Sequence, residues 1–251
     1  MADSKKVVTL ITGAERGMGF VEAKTLAQHG QFVFIGAYDM ELGQKSVKEL
    51  QDQGLDVALV HCNITDQKTI DETIKTINDK FGYLNILINN AGISGPEGGL
   101  PSETSEKDLR GVFETNFFGT AAMTKAAVPL LKKASYGKII TITSDMGSLG
   151  LATDSTSMFS HINAFPYQAS KTALNAMTIS YSKEFRDTKV NITANSVNPG
   201  MTATDLVNKE EFEKNGAKPV ESGAHRAIEL ALDPKNDLNG SFTEDGGIVP
   251  W

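Results

Sequence analysis

Apolar runs rich in β-branched residues recur along the chain at VVTLIT, FVFIG, VALVH, NILIN, KIITIT and NITANSV, and each gap between them is long enough to hold a helix. No other feature limits the fold as sharply. Strands that are apolar nearly throughout must be covered on both faces, and the intervening segments offer amphipathic helices to do it. In residues 66–81, Ile70, Ile74, Ile77 and Phe81 fall at i, i+4, i+7 and i+11, a single apolar stripe, with Thr65 as the expected N-cap. The pattern predicts an α/β fold, a doubly wound parallel sheet in a three-layer α/β/α arrangement.

No repeat and no Pro/Gly/Ser-rich stretch divides the 251 residues into two cores, so a single domain over residues 1–251 is expected. With 40% hydrophobic and 22% charged residues and no apolar run of membrane-spanning length, no membrane partner is expected. MADSKKVVTL runs into a strand without the apolar stretch of a signal peptide, which points to a cytoplasmic location. The single Cys62 has no disulfide partner, and the histidines at 29, 61, 161 and 225 form no pair at metal-ligand spacing, so no metal is expected. Strand alternation sends His61 and Cys62 to opposite faces. A net charge of −7 with dispersed basic residues argues against nucleic acid. Two segments break the βα rhythm, residues 145–166 and 201–219. Both follow strands at the end of the sheet where ligands bind, and both are candidate substrate walls.

TGAERGMG, residues 12–19, follows the first strand and opens a helix. Gly13, Gly17 and Gly19 at TGxxxGxG spacing let backbone N–H groups approach a pyrophosphate at the positive end of that helix, although three glycines can also simply make a tight turn. NNAG at 89–92 ends the fourth strand, YQASK at 167–171 opens a long helix and NPG at 198–200 ends the sixth strand. In this order, over essentially the whole chain, the four motifs resemble the short-chain dehydrogenase/reductase family. TNFFGT at 115–120, RGMG at 16–19, GQ at 43–44 and the ending GSFTEDGGIVPW resemble its carbonyl reductases most closely. The resemblance implies a Rossmann-type fold and NAD(P)H-dependent reduction of a ketone or aldehyde to an alcohol. A 3-oxoacyl carrier reductase or a steroid or polyol dehydrogenase is the alternative within the family, and a non-catalytic dinucleotide sensor the alternative outside enzymes.

Tyr167 and Lys171, four residues apart on a helix, share one face, and a nearby ammonium lowers the pKa of a phenol. The resemblance gives Tyr167 the role of general acid and has Lys171 also bond the nicotinamide ribose. It gives Ser144, in TITSD, the substrate oxygen, and Asn116, in TNFFGT, a water in a proton relay to Lys171. For cofactor binding it implies Gly13, Glu15, Arg16, Gly17, Met18 and Gly19 in the phosphate loop, Tyr38 after the second strand, and Asn90, Ala91 and Gly92 along the adenosine ribose. It adds Pro199, Gly200, Thr202 and Thr204 toward the nicotinamide. Asn63 stands where the family carries an adenine-binding aspartate; its carbonyl can accept the same hydrogen bond without the charge.

FIGAYDM, residues 34–40, ends the second strand. Family members specific for NAD have an Asp at the position of Ala37, and those specific for NADP an Arg at the position of Tyr38 and a basic residue at the position of Arg16. Arg16 favours NADP(H), with NAD(H) the rival; Asp39 reads as a helix cap. Ser144 and Tyr167 stand 23 positions apart, further than the family usually has them. Leu149, Phe159, His161 and Phe165 are candidate lining residues in that insertion. Many family members pair the helices around 106–133 and 167–186 into dimers and tetramers, whereas carbonyl reductases with large insertions before the tyrosine can be monomers; of the two, the resemblance favours a homo-oligomer, a dimer or tetramer.

Overall fold

The computed structural model describes residues 6–96, 99–204 and 216–251. Its strands are β1 (Val8–Thr12), β2 (Phe32–Ala37), β3 (Val57–His61), β4 (Ile86–Asn89), β5 (Gly137–Ile142), β6 (Ile192–Val197), β7 (Phe242–Glu244) and β8 (Gly247–Ile248). They form one sheet in the order β3-β2-β1-β4-β5-β6-β7-β8, parallel except for the last pair. The six expected strands are present. β7 and β8, at three and two residues, are too short to carry a periodic signal. β1, β2, β4, β5 and β6 are buried along their whole length, as unbroken apolar runs require. At the edge, β3 ends on the exposed His61, and Cys62 turns inward, where burial pushes its thiol up to about 12.

The helices are α1 (Gly17–Gln28), α2 (Met40–Asp52), α3 (Gln67–Lys80), α4 (Glu106–Phe113), α5 (Thr120–Leu131), α6 (Leu149–Thr153), α7 (Phe165–Asp187) and α8 (Val220–Leu232). Alternate residues of β1 feed two cores. Ile11 packs with Leu26, Leu50 and Ile228 of α1, α2 and α8, whereas Val8 and Leu10 pack with Ile70, Met123 and Phe185 of α3, α5 and α7. These are the three layers.

Three local expectations change. Asp66, not Thr65, caps α3, accepting from Lys68 N–H at 3.0 Å; Thr65 instead donates its N–H and hydroxyl to Asn63 Oδ1 at 3.1 and 2.8 Å. The helix around 106–133 is interrupted by a wider π-helical turn, Glu114–Gly119, where a Cβ on Gly119 would stand 2.8 Å from the Ile64 carbonyl oxygen. The segment 145–166 folds into short helical turns, Asp145–Gly147, α6 and Met158–His161, tied to the C-terminus by Gly150 N–H to Trp251 O at 2.7 Å and Ser148 Oγ to Pro250 O at 2.6 Å. Of the second irregular segment, residues 205–215 lie outside the described residues.

Candidate active site

The strand order reverses between β1 and β4, and Leu10 is paired with both Phe34 of β2 and Leu87 of β4, so TGAERGMG and NNAG leave the sheet side by side. Thr12 and Asn90, the former missed by the sequence reading, join them. Thr12 Oγ1 accepts from the N–H groups of Asn90 and Ala91 at 3.1 Å, and Asn90 Nδ2 donates to the carbonyls of Thr12 and Gly13 at 2.9 Å. Gly13 and Gly17 adopt φ +64° and +58°, and a Cβ on Gly13 would lie 3.0 Å from Ala91 Cα. Arg16 stands at the N-cap of α1, and its own side chain makes no capping hydrogen bond to the first N–H groups of the helix.

These turns line a cleft of about 640 Å³. Of the residues expected at a cofactor, it is lined by Gly13, Glu15, Arg16, Gly17, Met18, Tyr38, Asn63, Asn90, Ala91, Gly92 and Thr204. Gly19 lies behind it: a Cβ there would be 2.6 Å from Asn90 Nδ2, so this glycine serves close packing of the loop. Pro199, Gly200 and Thr202 do not line it either, and the Thr202 hydroxyl turns back to the carbonyls of Pro199 and Gly200 at 3.2 and 3.1 Å. The Asn63 carbonyl expected to receive adenine already accepts twice from Thr65. Leu149, Phe159, His161 and Phe165 are likewise outside this lining; Leu149 is 61% exposed and Phe165 40%.

At the Gly92 end of the cleft, a Cβ would come within 3.2 Å of Asn116 Oδ1 and 3.7 Å of Lys171 Nζ. Lys171 is buried; one of its three donors reaches the Ile142 carbonyl at 2.9 Å, and burial lowers its pKa to about 8. Its Nζ lies 5.4 Å from the centroid of the Tyr167 ring. The expected lowering of the phenol by this ammonium is reversed. Burial pushes Tyr167 up to about 12, with a hydrogen bond to the Ser144 side chain opposing the rise and the Asp145 carboxylate adding to it. Asn116 is fully buried and its amide is committed: Nδ2 donates to Ile93 O at 2.9 Å and Ser170 Oγ at 3.0 Å, while Oδ1 accepts from Ile93 N–H at 2.8 Å. Both amide donors are thus taken, and Oδ1 keeps one acceptor site for a water.

Asp145 was missed, although it follows Ser144 directly in TITSD. Its Oδ1 accepts from Ser144 Oγ at 2.9 Å and Met146 N–H at 2.8 Å, and its Oδ2 accepts from Asn198 Nδ2 at 3.4 Å. Asn198 also donates to Glu244 Oε2 at 2.7 Å. Burial raises the Asp145 pKa, its hydrogen bonds oppose the rise, and Glu244 adds to it. Elsewhere, His225, Glu229 and Asp245 gather at the surface, where His225 is hydrogen-bonded to Asp245 at 2.9 Å and Glu229 pairs with Arg226 at 3.0 Å. These are exposed surface contacts, a hydrogen bond at His225 and an ion pair at Arg226.

A glycine-lined cleft at the sheet's switch point, a helix start facing it and a buried lysine beside a tyrosine fit a nicotinamide dinucleotide, and define a Rossmann-type oxidoreductase. The chain belongs to the short-chain dehydrogenase family, whose pattern matches residues 7–215. It is 34% identical to the short-chain dehydrogenase anuI of Penicillium roqueforti, across 98% of this chain and 96% of that one. It is 31% identical to the 3-oxoacyl-[acyl-carrier-protein] reductase of Synechocystis, across 96% of each. In fold it is similar to the 3-ketoacyl-(acyl-carrier-protein) reductase of Brucella melitensis complexed with NADH, with a TM-score of 0.82 at 22% identity, covering 95% of this chain and 96% of that one. Among the described residues, no helix is long and apolar enough to cross a membrane.

Proposed function

We propose that the protein reduces a ketone or aldehyde carbonyl to an alcohol. The observation that carries this reading is Tyr167 beside the buried Lys171, whose Nζ lies behind Gly92 at one end of the cleft, although neither side chain lines the cleft itself. A reduced nicotinamide held in the cleft would supply hydride to the carbonyl carbon. Tyr167, kept protonated by its raised pKa, gives its proton to the carbonyl oxygen as charge develops there. Lys171, with one donor on the Ile142 carbonyl, would hold the nicotinamide ribose with the others. Ser144, whose hydroxyl donates to Asp145 here, would hold the substrate oxygen at the phenol by turning that donor toward it. Arg16, in the lining of the cleft, is the ground on which the sequence alone favours NADP(H); the Glu15 carboxylate beside it argues for the opposite preference.

The relationship to 3-oxoacyl carrier reductases favours a second reading, a β-ketoacyl thioester as substrate. Initial rates of NADPH and NADH oxidation against aryl ketones, diketones, ketoesters and acetoacetyl thioesters separate the two. Tyr167→Phe is expected to lose at least about a thousandfold in kcat while still binding dinucleotide, by the usual size of a general-acid contribution; a variant that keeps most of its turnover sinks the mechanism. A cytoplasmic homo-oligomer is part of the proposal. Phe118, 55% exposed on the π-helical turn, offers apolar area to a second copy, and a monomer mass by light scattering overturns it.

A further inference from the structure

Where β2 gives way to α2, the protein already holds an anion of its own. Glu15, in the phosphate loop, is 8% exposed, and its Oε1 accepts from the backbone N–H groups of Tyr38 at 3.3 Å and Asp39 at 3.5 Å. Its Oε2 is buried with no hydrogen-bond partner among the described residues. The next N–H groups of this turn are taken as well: Asp39 Oδ1 accepts from Glu41 and Leu42 at 3.0 Å each. Four donors at the start of α2, the groups an incoming phosphate would use, are thus held by two carboxylates of the chain itself. The Glu15 main chain is pinned to α2 as well, its carbonyl accepting from Ser46 Oγ at 2.7 Å.

Glu15 and Tyr38 line the cleft together with Arg16. Among the described lining residues, Glu15 and Arg16 are the two charged ones, of opposite sign. We propose that Glu15 makes this site select the dinucleotide without a 2′-phosphate, NAD(H) over NADP(H), in spite of Arg16. The inference rests on the dinucleotide reading above. A phosphate monoester carries about −1.5 to −2 charges at neutral pH and needs donors to replace its water. Here it would meet a buried carboxylate that has taken those donors. A ribose 2′-hydroxyl brings no charge, and as a donor it suits a carboxylate neighbour. Glu15 thereby does from the phosphate loop what the absent acidic residue at Ala37 would do from the strand.

The test is calorimetric titration of the full chain with NAD+ and with NADP+, with no carbonyl substrate present. The wild-type protein is expected to bind NAD+ at least about tenfold more tightly than NADP+, the scale of one partly screened like-charge contact, and the gap should narrow as salt rises. Glu15→Gln keeps the shape and the acceptor oxygen and removes the charge. In that variant, and in Glu15→Ser, NADP+ should gain at least about tenfold relative to NAD+. Equal affinities or tighter NADP+ binding in the wild type, or an unchanged ratio in a folded Gln variant, overturns the role of Glu15 and leaves the reductase reading standing. Binding of neither dinucleotide overturns both. If the variants fail to fold, the wild-type ratio and its salt dependence decide.

Discussion

Replacing Glu22 should stabilise the protein, by an amount that depends on pH in a way no other account of the substitution would give. Glu22 lies on the inner face of α1 with no exposed surface, and neither carboxylate oxygen has a hydrogen-bond partner among the described residues. Burial pushes its pKa from 4.5 to about 8. Between those values the unfolded chain releases the proton and the folded chain keeps it. The native state therefore binds more protons, and stability falls as pH rises, by about 1.4 kcal/mol per pH unit. At pH 7, about 2.5 units above the unfolded value, the accumulated cost is about 3 kcal/mol; it levels off above pH 8, where the folded carboxyl also ionises. Glu22→Gln removes the ionisation and keeps the shape. Its advantage over wild type in urea denaturation should be near zero at pH 4.5, grow to about 3 kcal/mol at pH 7 and then flatten. Glu22→Leu should add a further ~1–2 kcal/mol at every pH through apolar burial. Parallel stability–pH curves for wild type and the Gln variant would show that the carboxyl reaches water or a partner, and would refute the reasoning.

Other perturbations separate charge from shape within the site. Asp145→Asn keeps an acceptor for Ser144 but removes the anion that helps raise Tyr167, so the phenol should titrate below about 12. In the alcohol-oxidising direction, the rise of kcat with pH should move to lower pH. Lys171→Met removes a cation that burial holds at about 8, and should raise stability at pH 7 by about 1–3 kcal/mol in thermal unfolding while abolishing turnover. Gly17→Ala has open space around the new Cβ and meets only the strain of φ +58°, about 1 kcal/mol. At Gly13, with φ +64°, the same change also drives a Cβ to 3.0 Å from Ala91 Cα, so calorimetry should show dinucleotide affinity falling at least about tenfold further than for Gly17→Ala.

What could be read before the structure was what a short window of chain decides. The sheet, its layers and the phosphate turn follow from runs of five or six residues and from glycine spacing, and Asp39 caps α2 as its position suggested. The fine chemistry depends on partners that sequence distance hides. Asn116 has both amide donors committed because Ile93, 23 residues away, and Ser170, 54 residues away, take them, and the Ile93 N–H takes one of its two acceptor sites. Tyr167 is raised, not lowered as the lysine four residues on suggested, because burial, with the Asp145 carboxylate adding to it, outweighs the Ser144 hydrogen bond. Glu15 looked like one more residue of a glycine-rich turn, and only the fold brings it to the N–H groups of Tyr38 and Asp39. The common cause is electrostatic. A motif records which groups can ionise, whereas burial and distant hydrogen-bond partners set which of them do. The phosphate loop and the catalytic helix could therefore be recognised by pattern, but the sign of each charge effect around them required the packed structure.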